Sequence, residues 1–512
     1  MKNWVLVIFL ICIFIISCAP AKCGDGICQP IEKKKGSCSA DCDTSDPLST
    51  KDVNIPPTKE VVVSKLSSSS PFGVFNDLTW DNNKFHNDLA KELGHKKARI
   101  VIPWQAVEPK EGTFNFNLVD SIVNLHYDAD IDLLITLTAV SNWGSNANKK
   151  GLILIHSGPA KDYDQYNNWI KTMVKRYKGM VNYWQIENEV YDSSYAPAWF
   201  WDGTKEEYIE HLKNAYTTIK ETDPSAKIVC QGFGGQMLID IDTIYPHSKE
   251  FFEYIMKEMP QYCDSIDYHQ YMQPKDAYVM IDLIKSELKK NGYDKDIIST
   301  ESGDPDLSLF VRHLLGKEKI PIIEELLAIP EVNDKIEEIR KFGVTQDDYE
   351  EVAIFLRTNT KTKPIIEEYQ AQNLVKRFAI SLGQGVKQVY WGSIRDYTED
   401  KTPDWYHLIM SLTEEDETKR PVWYTYQIMM EKLDDFSEVQ ELRRDPTVIK
   451  FNDVIVAWND DGEKTIDLSD IFSGDVTITH IITESGENTA ETETVASNSI
   501  TIGESPVFIE GN

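Results

Sequence analysis

The chain has 512 residues, 41% apolar and 27% charged, with 53 basic against 83 acidic side chains and a formal net charge of −30. That length exceeds one ordinary domain and accommodates a barrel of ~250 residues or more beside smaller modules. Such acidity repels phosphate backbones, so nucleic acid is excluded as an expected partner.

Met1-Lys2-Asn3 precedes an almost unbroken apolar run from Trp4 to Ile16, which ends at Ser17-Cys18. The run is too short for a spanning helix, which needs ~20 residues, and suits a signal-peptide core. Ile15-Ile16-Ser17-Cys18 resembles a lipobox, in which the Cys becomes the lipid-modified N-terminus; an ordinary signal peptide or an uncleaved anchor is the alternative. Residues 1–18 therefore read as an export signal. The expected location is extracellular, with membrane contact only through that N-terminal lipid. Cys23, Cys28, Cys38 and Cys42 crowd the next segment, residues 19–45. Outside the cell they read as a disulfide module with two bridges, the three connectivities remaining open. A four-thiolate zinc site competes but has irregular spacing. Residues 46–70 contain Pro56-Pro57 and the serine run 67–70 and read as a linker, in which Glu60–Ser64 offers an edge strand.

From Pro71 to about residue 440, short apolar runs alternate with amphipathic helical stretches, which predicts a parallel sheet with helices outside it. The eight predicted strands cover 72–76, 98–103, 132–138, 181–186, 227–232, 265–269, 296–300 and 387–392. Helices are predicted between them, most clearly over 163–177 and 205–222. Eight such units close into a (β/α)8 barrel. A doubly wound open sheet is the rival, but no Gly-rich phosphate loop follows an early strand. Cys230 falls within a strand and Cys263 just before the next, at different heights on parallel neighbours, so both are expected as free buried thiols. Residues 305–361 are charged and helical. An insertion after a barrel strand emerges on the catalytic face, where it is expected to wall or cover the cleft, with a solvated decoration as the alternative. Beyond Leu433, alternating runs at 447–451, 454–458, 464–468, 476–483, 499–502 and 507–510 predict a small β-sandwich over 441–512. Its single tryptophan, Trp458, falls on a core position, which favours structural support over sugar binding.

Two motifs carry the chemistry: Tyr183-Trp-Gln-Ile-Glu-Asn-Glu189 and Ile297-Ile-Ser-Thr-Glu301-Ser-Gly303. Each puts a glutamate at the carboxyl end of a predicted strand, where barrel enzymes keep their functional groups. Two carboxylates at that end can flank one bond, one as acid and the other as nucleophile, as glycoside cleavage requires. The chain has no His-Glu-x-x-His or comparable metal spacing and no Gly-x-Ser-x-Gly elbow. No cofactor or metal is therefore expected.

Further segments surround these two in order. They are Arg99 at the start of the second strand, Trp104-Gln-Ala-Val-Glu108-Pro-Lys-Glu-Gly112-Thr-Phe114-Asn-Phe116, Asp223-Pro-Ser-Ala-Lys-Ile-Val229, Asp267-Tyr-His269-Gln-Tyr271, Tyr390-Trp391-Gly392 and Pro421-Val-Trp423-Tyr-Thr-Tyr426. Together with Asn188-Glu189 and Thr300-Glu301 they resemble clan A of the glycoside hydrolases, retaining enzymes on a (β/α)8 barrel, over most of residues 71–435. Families 39, 5 and 42 of the clan share these features. The resemblance implies a carbohydrate substrate, Glu189 as acid/base and Glu301 as nucleophile. It also implies Asn188 on the sugar 2-hydroxyl, Arg99 keeping Glu301 ionised, Tyr271 donating to Glu301 and His269 orienting the acid or the sugar. Trp391 is expected as an apolar floor, and Trp104 as a further substrate contact. Read without the resemblance, Arg99 is an internal ion-pair partner and Trp391 barrel filler.

Two positions depart from the clan's pattern. Val190 stands where many members have Pro, and Glu187 stands two residues before the acid/base, where Trp or Gly is common. Glu187 is either a rival acid/base or a second negative charge beside the acid. The implied function is an exported retaining β-glycosidase. The alternative from another class is a catalytically silent carbohydrate-binding or adhesive surface protein on the same barrel.

Overall fold

Eight strands, buried along most of their length, pair in parallel in chain order and close on themselves. In the computed structural model the described residues are 63–65, 70–75, 87–147, 157–191, 200–239, 247–271, 273–305, 307–318, 320–342, 346–396 and 410–512. All of them belong to one unit, residues 57–148 and 154–512. The export segment and the four N-terminal cysteines of the expected disulfide module lie outside the described residues.

Strand β1 (Val63–Lys65) belongs to the C-terminal sheet described below. The barrel strands are β2 (Phe72–Phe75), β3 (Lys97–Pro103), β4 (Asp132–Thr138), β5 (Val181–Ile186), β6 (Lys227–Gly234), β7 (Ser265–Gln270), β8 (Asp296–Ser302) and β9 (Val389–Gly392). Closure comes from Phe72 and Phe75 of β2 pairing with Val389 and Gly392 of β9. The (β/α)8 expectation holds. Strands β6, β7 and β8 each run on past the stretch predicted for them. Their ends carry glycine or polar residues that interrupt the apolar pattern, yet backbone pairing continues through Gly234 with His269, His269 with Glu301, and Gln270 with Ser302.

The surrounding helices follow local rules. Helix Lys205–Thr222 starts at a capping box, with Thr204 Oγ1 accepting from the Glu207 amide and Glu207 accepting from the Thr204 amide. Helix Tyr163–Arg176 is capped by Asp162 and buries Tyr166, Trp169, Ile170, Met173 and Val174, the one-face spacing that seats a helix on a sheet.

Cys230 and Cys263 are not free thiols: they form a disulfide, with Cα atoms 5.7 Å apart. Strand height misleads here because Cys263 is not yet in a strand. It caps the short helix Pro260–Tyr262, which lies beside β6, and the Asp264 amide that follows is bonded to the Ile228 carbonyl at the start of the β6–β7 pairing.

The insertion after β8 forms helices Leu307–Gly316, Pro321–Ala328, Pro330–Phe342 and Gln346–Thr358. They share an apolar core that includes Val311, Leu326, Ile336 and Leu356 and reaches Ile366 and Met410. Arg357 pairs with Asp396 beyond β9 at 3.6 Å. Helix Thr362–Gly383 follows the insertion, and its Tyr369 hydroxyl donates to Gln273 beyond β7 at 3.1 Å.

The C-terminal region contains β10 (Glu438–Arg444), β11 (Thr447–Phe451), β12 (Val454–Trp458), β13 (Lys464–Ile466), β14 (Asp475–His480), β15 (Thr492–Ala496), β16 (Ile500–Ile502) and β17 (Val507–Gly511). Seven strands form one antiparallel sheet in the order β1-β10-β11-β12-β17-β14-β15, while β13 pairs with β16. The two sheets share a core that includes Val448, Ile466, Val476, Ile502 and Ile509. Two of these strands had no counterpart in the apolar pattern. A register shift between Glu441 and Arg443 interrupts alternation in β10, and β15 is an edge strand with mostly exposed side chains. Val63–Lys65 pairs with β10, so the linker does supply an edge strand. Among the described residues, no helix is long and apolar enough to cross a membrane.

Candidate active site

Glu189 follows the end of β5 and Glu301 lies in the last turn of pleat of β8, so both stand at the carboxyl end of the barrel. One carboxylate oxygen of each, with a His269 ring nitrogen, all lie within 4.8 Å of one another. Their side chains are 19% and 14% exposed, while the groups behind them are shut off from solvent.

Arg99 organises this pair from beneath. It is 1% exposed. One terminal nitrogen, Nη1, donates to Glu301 Oε1 at 2.5 Å, and the other, Nη2, to Asn188 Oδ1 at 2.7 Å. Its Nε reaches Thr136 Oγ1 and Gln185 Oε1 at 2.9 and 3.0 Å, which fixes the plane of the guanidinium. Because Arg99 takes the Asn188 carbonyl oxygen, the Asn188 amide nitrogen is left to donate elsewhere. The Tyr271 hydroxyl donates to the second Glu301 oxygen at 2.9 Å.

His269 is fully buried and bridges three carboxylates. Nδ1 lies 2.7 Å from Glu189 Oε1 and 3.6 Å from Glu301 Oε2, and Nε2 lies 3.2 Å from Asp267 Oδ2. The close approach requires Gly232, since a Cβ there would fall 2.1 Å from Nε2. Burial opposes the imidazolium, but Glu301 and Asp267 outweigh it and push its pKa up to about 10. Burial likewise opposes charge on Glu301; His269 and then Arg99, with the Tyr271 hydrogen bond, outweigh it and hold that carboxyl below its ordinary value. The three clustered groups have a spacing that can hold a metal ion. A cation there would meet the Arg99 guanidinium and a protonated ring, so the donor set fits a proton-transfer site better.

These shifts set the pH dependence of stability. The His269 pKa is raised, so its contribution is complete below the ordinary imidazole value of 6.5 and is lost as pH rises toward about 10. The Glu301 pKa is lowered, so its contribution is present above the ordinary 4.5 and is lost as pH falls below it. The Tm is expected to decline between pH 7 and 10, and His269→Gln should flatten that limb. Equal alkaline slopes for the two proteins would contradict this charge assignment.

Asp267 is the functional neighbour that motif reading passed over. It is fully buried and accepts from Thr300 N and Oγ1 at 2.8 and 2.5 Å and from Gln185 Nε2 at 2.6 Å, besides facing His269. Positions 267 and 269 alternate along β7, and Tyr271 follows its end at the same spacing, so this recurrence was a legible signal. Trp104 is fully buried, stacks on Trp169 with ring centroids 5.3 Å apart, and donates to Glu108 at 2.7 Å. Trp391 is also fully buried, paired with Ser302 of β8 and Val74 of β2. Neither tryptophan presents surface to the cleft. Glu187 is 1% exposed, with its carboxylate bonded to Ala139 and His211, so it offers no acid to a substrate.

Residues 69–258 match the family model described as glycosyl hydrolase family 10. Two curated relatives are similar over part of the chain. Endo-1,4-beta-xylanase A of Caldicellulosiruptor sp. (strain Rt8B.4) is 27% identical over 165 residues, which is 30% of this chain and 22% of the relative. Endo-1,4-beta-xylanase 2 of Claviceps purpurea is 26% identical over 153 residues, 28% of this chain and 43% of the relative. The chain thus spans less than half the length of either. Among solved structures, a family 39 glycoside hydrolase from Bacteroides cellulosilyticus WH2 superposes with a TM-score of 0.56 at 14% identity, covering 86% of this chain and 80% of the other. A GH30 endoxylanase from Clostridium papyrosolvens C71 gives 0.52 at 14% identity, covering 89% and 100%. The barrel resembles the clan A glycoside hydrolases in both sequence and fold. The solved structures speak for the fold, and the family 10 match covers the half of the barrel that carries Asn188-Glu189.

Proposed function

We propose that the chain is an exported retaining β-glycosidase acting on oligo- or polysaccharides. The observation that carries the reading is the convergence of Glu189 and Glu301, whose nearest oxygens come within 4.8 Å. Retaining enzymes hold their carboxyl groups ~5–5.5 Å apart, too close for water to attack from between them. In the first step Glu301 attacks the anomeric carbon while Glu189 gives its proton to the leaving oxygen, which forms a glycosyl ester. In the second, Glu189 takes a proton from water, whose oxygen displaces Glu301 from the sugar. Glu189 Oε1 lies 2.7 Å from His269 Nδ1, a contact that fixes the direction in which the acid/base carboxyl faces. Asn188, its carbonyl held by Arg99, turns its amide donor to the 2-hydroxyl. The buried Cys230–Cys263 disulfide supports export, since such bonds persist outside reducing compartments. The names of the two curated relatives make β-xylosides the first substrates to try.

The test is Glu189→Ala assayed with an activated aryl β-glycoside. Activity is expected to fall ~10²–10⁴-fold, the usual share of general acid–base catalysis. Added azide should restore turnover and yield the β-glycosyl azide, because it attacks the ester without needing a base. Sugar binding by the wild-type chain without turnover of any glycoside would instead establish the adhesive reading.

A further inference from the structure

Glu187 is a buried carboxylate that the two-step chemistry does not use. Its Oε1 accepts from the Ala139 amide at 2.7 Å and lies 3.1 Å from His211 Nε2. Ala139 follows β4, and His211 is fully buried on helix Lys205–Thr222. The His211 ring is enclosed by Tyr166, Trp201 and Tyr163, with ring centroids 4.2, 5.2 and 6.0 Å away. Its Nδ1 is buried without a hydrogen-bond partner, so among the described residues Glu187 is the polar tie of that ring.

The backbone shows what the tie holds. Glu187 and Glu189 both adopt positive φ, 66° and 41°. Such a conformation is costly for a non-glycine residue and persists only where surrounding contacts impose it. Asn188 lies between them, just past the end of β5 at Ile186, where the Glu187 amide makes a last bond to the Leu137 carbonyl of β4 and Arg99 holds the Asn188 oxygen. The turn is gripped from both sides. Before it, the Glu187 side chain holds Ala139 and His211; after it, the Val190 amide donates to Gln231 Oε1 at 3.0 Å. An apolar residue at 187 would leave the Ala139 N–H and the His211 N–H aimed at nothing in a site closed to water.

We propose that Glu187 and His211 form a positioning pair that sets the Asn188–Glu189 turn, so that the acid/base carboxyl reaches the leaving-group oxygen. The proposal rests on Glu189 being that acid/base. The pair acts through Glu189 and not on the substrate, so its loss should harm substrates in proportion to how much protonation they need.

The experiment measures kcat/KM for aryl β-glycosides of one sugar with leaving groups from dinitrophenol to phenol, together with Tm. The proteins are wild type, Glu187→Met, Glu187→Gln, His211→Phe and Glu189→Ala. Glu187→Met and His211→Phe are expected to lose ~10–100-fold on the phenyl glycoside and under ~3-fold on the dinitrophenyl one, which departs without a proton. Glu187→Gln keeps an acceptor oxygen in place and should remain within ~3-fold of wild type on both. If Glu187→Met fails to fold, His211→Phe and Glu187→Gln carry the same contrast. Equal losses across all leaving groups, or none, overturn the proposal. Glu189→Ala separates the two levels: a steep dependence there with a flat one for the pair removes only the positioning role, whereas a flat dependence for Glu189→Ala removes the acid/base assignment with it.

Discussion

Glu301→Gln is expected to lower turnover by roughly four to six orders of magnitude, since it removes the group that forms the ester. The substitution has a second consequence that a purely structural residue would not share. Glu301 is the largest of the neighbours that raise the His269 pKa, so the imidazole of the variant should release its proton at lower pH, visible in its NMR titration. The fold should also lose stability, because Arg99 keeps its charge while losing its anionic partner. A fluorinated glycoside with a good leaving group should trap wild type as a glycosyl ester on the peptide that contains Glu301, and leave the Gln variant unlabelled. Labelling of another residue, or activity in the variant above about 1% of wild type, would remove Glu301 from the role the proposed mechanism gives it.

Arg99→Met should be the most damaging change outside the two glutamates. Arg99 is buried and bonds Glu301, Asn188, Thr136 and Gln185 at once. Breaking a buried pair by removing one partner typically costs ~3–5 kcal/mol; here the partial exposure of Glu301 places the expectation near ~3 kcal/mol, read from the urea midpoint. Activity should fall by ~10²–10³-fold, mostly in kcat, as the nucleophile and Asn188 both lose their orientation. The sign of the pH effect is fixed: Arg99 holds the Glu301 pKa down, so without it the acidic limb of kcat/KM moves to higher pH. Arg99→Lys keeps the charge but not the fork that spans Glu301 and Asn188, so it should recover part of the pH profile and little of kcat. An unshifted acidic limb in Arg99→Met would show that the guanidinium does not govern the nucleophile's charge.

Much of this architecture is legible in the sequence. Strands β4 and β5 and the helix Lys205–Thr222 have the bounds that the apolar pattern assigns to them. Periodicity is a local property: the run Asp132–Thr138 and the capped repeat beyond Thr204 state their own geometry. The carboxyl ends of β6, β7 and β8 were less legible for the same reason. Pairing there continues through Gly234, Gln270 and Ser302, a glycine and two polar residues of the kind that also mark loops.

What the sequence determined by itself was the order of eight strand–helix units and the placement of Glu189 and Glu301 at one end of them, because hydrophobic spacing and chain direction suffice for both. Tertiary structure alone decided which buried polar groups meet. Cys230 of β6 reaches Cys263 at the end of the short helix that leads into β7. Asp267 becomes the partner of Gln185, Thr300 and His269, three residues from three strands. Glu187 turns from a rival acid into a group held by Ala139 and His211. Each such meeting depends on the relative register of strands far apart in the chain, and on positive φ at single residues, neither of which a pattern of apolar residues encodes.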